Sequence, residues 1–118
     1  MTITVKKKQS SDISQMEESK TTGEILREER EKKGLLLRQV AAMLDIDTAI
    51  LSKIERGERK SSKEQIVKLA EILELDEEGL VVQYLSEKIL YEIKDEELGG
   101  KALKAAEQKM KYNNKNNS

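Results

Sequence analysis

The segment of residues 37–54 constrains the fold more than any other part of the chain. Its apolar residues recur at helical spacing on both sides of a short break, which predicts two helices, over residues 37–44 and 48–56. Helices that cross at a wide angle touch near one point, so the first needs a small residue there, and Ala41 supplies it. The turn needs a left-handed residue, a conformation that Asp45 tolerates less well than glycine does. This combination favours two crossed helices joined by a tight turn over an ordinary helical hairpin.

Helical patterns also surround this segment. A helix is predicted from Thr21 or Thr22 to Lys33, with Gly34 after its C-terminus. Three more are predicted further on, over residues 63–73, 76–95 and 101–111, and the last is expected to pack back on the one before it. We therefore divide the chain into a disordered tail over residues 1–21, a helical domain over 22–80, a helical extension over 81–112 and a disordered tail over 113–118.

Composition supports an all-α fold and excludes several classes of function. The 118 residues include no proline and are 38% charged, which favours helices with solvated charged faces. Cys and His are absent, which excludes disulfides, the usual zinc sites and His-based catalytic triads. The acidic clusters at Glu28-Glu29 and at residues 95–97 do not form a convincing catalytic set. We expect no enzyme activity, no cofactor, no metal ion and no small-molecule ligand.

No apolar run approaches the length of a membrane span, and no signal peptide is evident. We therefore expect a cytoplasmic, nucleoid-associated protein that has no membrane partner. The net charge of −1 does not by itself indicate nucleic-acid binding. Residues 52–63, however, hold five basic and two acidic residues, a local charge of +3 that suits a phosphate-binding patch.

The sequence "LREEREKKGLLLRQVAAMLDIDTAILSKIERGERKSSKEQIVKLAEILELDEEGL", residues 26–80, resembles the lambda-repressor-like (Xre/Cro) helix-turn-helix family. The resemblance lies in Gly34-Leu35 after the first helix, in "VAAML" and in "LSKIERGER". It implies an all-α fold, a five-helix lambda-repressor-like helix-turn-helix domain with a C-terminal helical extension. It also implies binding to double-stranded DNA as a two-fold dimer on a palindromic operator.

The resemblance places the DNA contacts on three parts of this domain. The start of helix 37–44 would supply Arg38 and Gln39, although Leu37 stands where the family commonly has a glutamine that contacts the DNA backbone. The base-reading positions correspond to Thr48, Ala49, Ser52 and Lys53. The expected phosphate contacts are Arg56, Arg59, Lys60 and Lys63. Lys53 can donate to guanine, whereas Ala49 offers only apolar contact, so we expect affinity to rest mainly on phosphates.

Two further interactions are expected. The family often pairs an arginine late in the first helix with a glutamate near the end of the third, and those positions are Arg30 and Glu55 here. A partly buried carboxylate near the DNA-facing surface also needs a cationic partner on physical grounds. Dimerisation is expected through the apolar residues of the extension, namely Val81, Val82, Leu85, Ile89 and Ile93.

The charge of the extension and its sequence each bear on function. Residues 76–118 hold seven basic and nine acidic residues, and this net charge of −2 argues against contact with DNA. The stretches "ILYEIKDEEL" and "KALKAAEQKMKY" resemble small regulators encoded beside DNA methyltransferases in restriction–modification systems. The sequence thus indicates a DNA-binding transcriptional regulator, either a repressor or a controller protein of such a system. The alternative is a protein-interaction module such as an antitoxin or an antagonist of another regulator.

Overall fold

A computed structural model of the protein describes residues 20–117, and within that range it contains six α-helices and no strand. The helices are α1 (Thr22–Lys32), α2 (Leu37–Leu44), α3 (Thr48–Glu55), α4 (Lys63–Leu73), α5 (Glu77–Ile93) and α6 (Gly99–Asn117). The predicted all-α class is therefore confirmed. The disordered tail predicted for residues 1–21 lies outside the described residues, apart from its last two positions.

Those two positions belong to the start of α1. Thr21 is the N-cap: its Oγ1 accepts from the Glu24 amide at 3.1 Å, and the Glu24 carboxylate accepts from the Thr21 amide at 3.0 Å. This reciprocal capping box satisfies two amides that would otherwise lack partners at the helix end. Beyond the helix, Gly34 takes a left-handed φ of 70°, and the Leu35 amide then donates back to the Arg30 carbonyl. Gly34 thus has the role predicted for it.

Helices α2 and α3 form the tight pair that the sequence predicts. Asp45 has a φ of 60°, and the next amide, of Ile46, donates to the Ala41 carbonyl at 3.0 Å. Ala41 itself is buried between the helices. Helix α3 ends at Glu55, one residue earlier than predicted, because Gly57 turns the chain at a φ of 78° and the Glu58 amide donates to the Lys53 carbonyl.

The residues of the apolar core come from the first five helices. The described residues from 20 to 87 form one compact unit, which contains this core. The buried apolar side chains are Ile25, Leu26, Val40, Ala41, Leu44, Leu51, Ile54, Ile66, Leu69, Ala70, Leu73, Leu80 and Tyr84. The first half of α5 completes the unit, since the Tyr84 hydroxyl donates to the Ser61 carbonyl at 2.9 Å. The unit extends past the domain boundary predicted at residue 80.

The described residues from 88 to 117 form a second compact unit, which holds the end of α5 and all of α6. Helix α6 starts two residues before the predicted position, because Gly99 lies so close to the Ile93 carbonyl that a Cβ would come within 2.7 Å of it. The helix also continues to Asn117, although residues 113–118 were predicted to be disordered. Residues 100–115 are all exposed, so beyond Gly99 these residues do not show the predicted packing of this helix back on α5.

Candidate nucleic-acid interface

The outward surface of α2 and α3 is defined by what the core takes from these helices. Leu51 and Ile54 are buried, and Leu37 and Ile50 pack against the core. Glu55 is buried as well, in its pair with Arg30. The other positions of α3 are exposed or half-buried, and they are the predicted contacts Thr48, Ala49, Ser52 and Lys53, followed by Arg56 just after the helix. The fold therefore leaves one face of α3, formed by these residues, exposed to solvent. This is the orientation in which such a helix can enter the major groove of DNA.

Arg30 ties the three parts of this scaffold together. Its Nε lies 2.8 Å from Glu55 Oε2, its Nη2 lies 3.1 Å from Glu55 Oε1, and its Nη1 donates to the Leu35 carbonyl at 2.9 Å. The side chains are only 12% and 6% exposed. The hydrogen bond to Glu55 outweighs the cost of burial and raises the pKa of Arg30 above its ordinary value. One guanidinium thus joins α1, the start of the connection to α2 and the last residue of α3.

Gly23 brings the start of α1 against the end of α3. A Cβ at this position would lie 2.4 Å from the Glu55 carbonyl oxygen and 2.6 Å from that of Ile54. Both neighbours are backbone atoms, so the contact cannot be relieved by a change of rotamer. Gly23 and Arg30 therefore fix the C-terminal end of α3 from opposite ends of α1.

Arg56 is already paired in this structure. Its guanidinium donates two hydrogen bonds to the Glu58 carboxylate, at 3.0 and 3.1 Å, and a third to Ser52 Oγ at 2.6 Å. The hydrogen bond from Arg56 holds the pKa of the Glu58 carboxyl below its ordinary value. Glu58 thus occupies the donors that a phosphate oxygen would use.

The base-reading set is sparse. Thr48, Ala49 and Lys53 are exposed, and Ser52, which is half-buried, accepts from Arg56. Lys53 is the one cation within α3, which leaves it as the donor best placed along this helix for a guanine edge. The helix thus offers few groups for direct readout, and thin readout stays a prediction.

At the start of α2, one predicted contact has a second role. The side-chain oxygen of Gln39 accepts from the Leu36 amide at 2.8 Å, so Gln39 caps the helix. Arg38 is exposed. The cap leaves the Gln39 amide nitrogen as its remaining hydrogen-bonding group, and it leaves Arg38 as the charged group at this helix N-terminus.

The remaining predicted phosphate contacts lie in the connection between α3 and α4 and at the first residue of α4. Arg59, Lys60 and Lys63 are all exposed. The start of α4 is fixed by a second capping box, in which Ser62 Oγ accepts from the Gln65 amide at 3.1 Å and the Gln65 side chain accepts from the Ser62 amide at 2.9 Å. The loop thus carries Arg59 and Lys60, and Lys63 begins the firmly capped helix that follows.

Sequence reasoning missed three features of the site. Glu58 was counted as a charge but not as the partner of Arg56, although the spacing across a glycine brings the two side chains together. Gly23 was not singled out, although a glycine in the first turn of a helix is a signal of close packing. The third feature has no local signal: the Glu87 carboxylate accepts from the Thr22 amide at 2.6 Å and from Gln83 Nε2 at 3.1 Å.

The residues predicted for dimerisation separate into two sets. Val81 packs against the core of the first unit and Ile93 is half-buried. Val82, Leu85 and Ile89 are 50%, 42% and 48% exposed. Of the five predicted residues, only these last three are exposed.

Within residues 20–117, no group of three or more acidic side chains is arranged to hold a metal ion. None of the described helices combines the length and apolar character needed to cross a membrane.

Comparison with protein-family models matches residues 26–80 to the family described as Helix-turn-helix. This segment holds most of α1, all of α2, α3 and α4, and the first turn of α5. No curated protein and no solved structure matches the chain. The match confirms the resemblance from which the DNA contacts were assigned.

Proposed function

Residues 26–80 belong to the Xre and lambda-repressor-like helix-turn-helix family, whose members are DNA-binding transcriptional regulators, and from this premise we propose that the protein binds a palindromic operator as a homodimer. By binding there it would repress transcription, or control it within a restriction–modification system. The resemblance of the extension to regulators of such systems supports the second role.

One observation carries the proposal. The buried pair of Arg30 and Glu55 fixes the end of α3, while Thr48, Ala49, Lys53 and Arg56 on the same helix and its C-cap are left exposed. A helix whose inner face is tied by a buried ion pair and whose outer face carries basic and hydroxyl groups is suited to reading DNA.

Lys53→Ala tests the specific part of this assignment. We expect the variant to lose about 1–3 kcal/mol of discrimination between its operator and unrelated DNA, because the main donor to guanine is removed. Fluorescence anisotropy with a duplex from the region upstream of its own gene measures the affinity, after footprinting has located the site. Lys68→Ala is the matched control, since Lys68 is an exposed lysine of α4 outside the predicted contacts.

An unchanged operator preference in Lys53→Ala would remove Lys53 from the readout. The dependence of parent binding on salt tests the phosphate contacts, since log K should fall with a slope of about −0.9 for each phosphate neutralised. A parent protein that binds no DNA at low salt would refute the proposed function.

The dimer is proposed on the exposed apolar residues of α5. Val82, Leu85 and Ile89 follow the spacing of neighbours on one helix face, and burying them against a second copy would remove apolar area from water. A Leu85→Asp/Ile89→Asp variant should be monomeric by light scattering and should bind a palindromic operator more weakly. Leu98→Asp is the control, because Leu98 is also exposed but lies outside α5. A dimer that survives the double substitution would contradict this interface.

A second candidate function is the protein-interaction module. It is favoured by Leu90 and Leu98, which are exposed and lie outside the proposed dimer set. Under this alternative, both would contact a different protein, and binding to DNA would show little dependence on salt.

A further inference from the structure

Helix α6 carries a row of lysines on one of its faces. At about 100° per residue, Lys101, Lys104, Lys111 and Lys115 project within a sector of roughly 80°. Gln108 falls in the same sector. We call these four lysines the lysine stripe. At about 1.5 Å per residue, the stripe extends about 21 Å along the helix.

The opposite face of α6 is apolar and narrow. Ala102, Leu103, Ala106 and Met110 lie there, about half a turn away from the lysine stripe. The helix is therefore amphipathic, and packing of its apolar face against any other surface would leave the stripe pointing to solvent. Two alanines, one leucine and one methionine provide little bulk for insertion into a lipid layer, which uses Trp, Phe and Leu.

The stripe is positively charged and is not neutralised by nearby carboxylates. Residues 99–117 hold five lysines and one glutamate, a net charge of +4, and that glutamate, Glu107, borders the stripe, three residues after Lys104 and four before Lys111. Among the described residues, none of the four ammonium groups comes within 4.0 Å of a carboxylate. Residues 76–97 hold eight acidic residues and two lysines, a net charge of −6. The net negative charge thus comes from residues 76–97, and α6 itself carries a net positive charge.

We propose that the lysine stripe is a second DNA-binding surface, which contacts the phosphate backbone without reading sequence. The argument is charge complementarity: four ammonium groups spread along about 21 Å of α6 suit a polyanion that carries one negative charge per about 1.7 Å of its axis. Lysine, unlike arginine, contacts phosphate as a point charge, which favours affinity over sequence selection. The inference rests on the proposed function, because its partner is the DNA that the first unit binds.

A four-lysine variant of the full chain tests this surface. Its substitutions are Lys101→Gln, Lys104→Gln, Lys111→Gln and Lys115→Gln. We expect the slope of log K against log salt, measured by fluorescence anisotropy on a duplex unrelated to the operator, to become shallower by about 2–4, since each lost phosphate contact removes about 0.9. Affinity for the same duplex at low salt should fall at least about tenfold.

A control variant also loses four lysine charges, but at positions outside α6. Its substitutions are Lys32→Gln, Lys68→Gln, Lys88→Gln and Lys94→Gln, all at exposed positions outside α6. It should alter the slope by less than about 1, because it lowers the net charge equally but leaves the stripe intact. Helical content by circular dichroism should be unchanged in both variants, since all eight side chains are exposed.

The outcomes separate this inference from the proposed function. An equal slope in the parent and the four-lysine variant, with operator preference still lost in Lys53→Ala, would overturn the lysine stripe and leave the proposed function standing. Equal effects of the two four-charge variants would also overturn it, since net charge alone would then explain the slope. Stripe-dependent binding to phosphatidylglycerol vesicles, with an unchanged DNA slope, would assign the stripe to membranes instead. Absence of any DNA binding by the parent would refute both proposals.

Discussion

Two arginine–glutamate pairs meet at the end of α3, and they differ mainly in burial. Arg30 and Glu55 form a bidentate pair whose side chains are 12% and 6% exposed. Arg56 and Glu58 form a bidentate pair of nearly the same geometry whose side chains are 51% and 56% exposed. The hydrogen bond to glutamate raises the arginine pKa in both.

The difference in burial gives the two pairs different roles. Removing one member of the buried pair leaves a charge that water cannot solvate, so that pair behaves as part of the scaffold. Members of the exposed pair can exchange partners freely with water or with a phosphate. The buried pair thus holds the end of α3 in place, whereas the exposed pair leaves Arg56 able to contact DNA.

The largest effect is expected from breaking the buried pair. Arg30→Ala should lower the free energy of unfolding by about 2–4 kcal/mol, because the Glu55 carboxylate stays buried without its partner. Urea denaturation measures the change. Arg27→Ala is the control, since Arg27 pairs with Glu31 on the exposed face of α1 and should cost under about 1 kcal/mol. Equal losses in the two variants would remove the distinction between buried and exposed pairs.

A slightly smaller effect is expected at the contact beside the buried pair. Gly23→Ala should lower the free energy of unfolding by about 1–3 kcal/mol, because its methyl group would displace the backbone at the end of α3. Gly100→Ala meets no atom within 4 Å and should be neutral or stabilising by up to about 1 kcal/mol. Thermal melts of both variants check this order. If Gly23→Ala were as stable as the parent, the close approach of α1 to α3 would be contradicted.

The smallest effect is expected from the exposed pair, and it should appear in DNA binding. Glu58→Gln should leave the urea midpoint unchanged and tighten DNA binding about three- to tenfold, because a carboxylate no longer competes with phosphate for Arg56. Anisotropy at fixed salt measures the affinity. Glu71→Gln makes the same charge change at an exposed site on α4 and should have little effect. Weaker binding by Glu58→Gln would show that Glu58 positions Arg56 instead of competing for it.

The sequence was most informative where structure depends on local chemistry. The bounds of α2 follow from its apolar spacing, and the left-handed Asp45 follows from the need for a tight turn. The end of α3 was misplaced by one residue because the glycine at 57 already commits the preceding residues to the turn. The resemblance to a known family gave the pair of Arg30 and Glu55, which lie 25 residues apart.

Contacts that join distant parts of the chain could not be predicted from a single sequence. The bond between the Thr22 amide and Glu87 spans 65 residues, and no periodicity marks either end. The start of α6 at Gly99 was placed too late because a glycine pair usually interrupts a helix, whereas here the first glycine permits the close approach to Ile93. Net charge over the whole extension also concealed the basic helix within it.

The most direct test of the comparison is a nuclear magnetic resonance titration of the protein with a duplex from the region upstream of the protein's own gene. The titration follows the Nε–H signals of Arg30 and Arg56. We predict that the Arg56 signal shifts as its guanidinium exchanges Glu58 for a phosphate. The Arg30 signal should stay in place, because its pairing with Glu55 is internal to the scaffold. A shift confined to Arg30, with Arg56 unchanged, would contradict the assignment of one pair to the fold and the other to DNA.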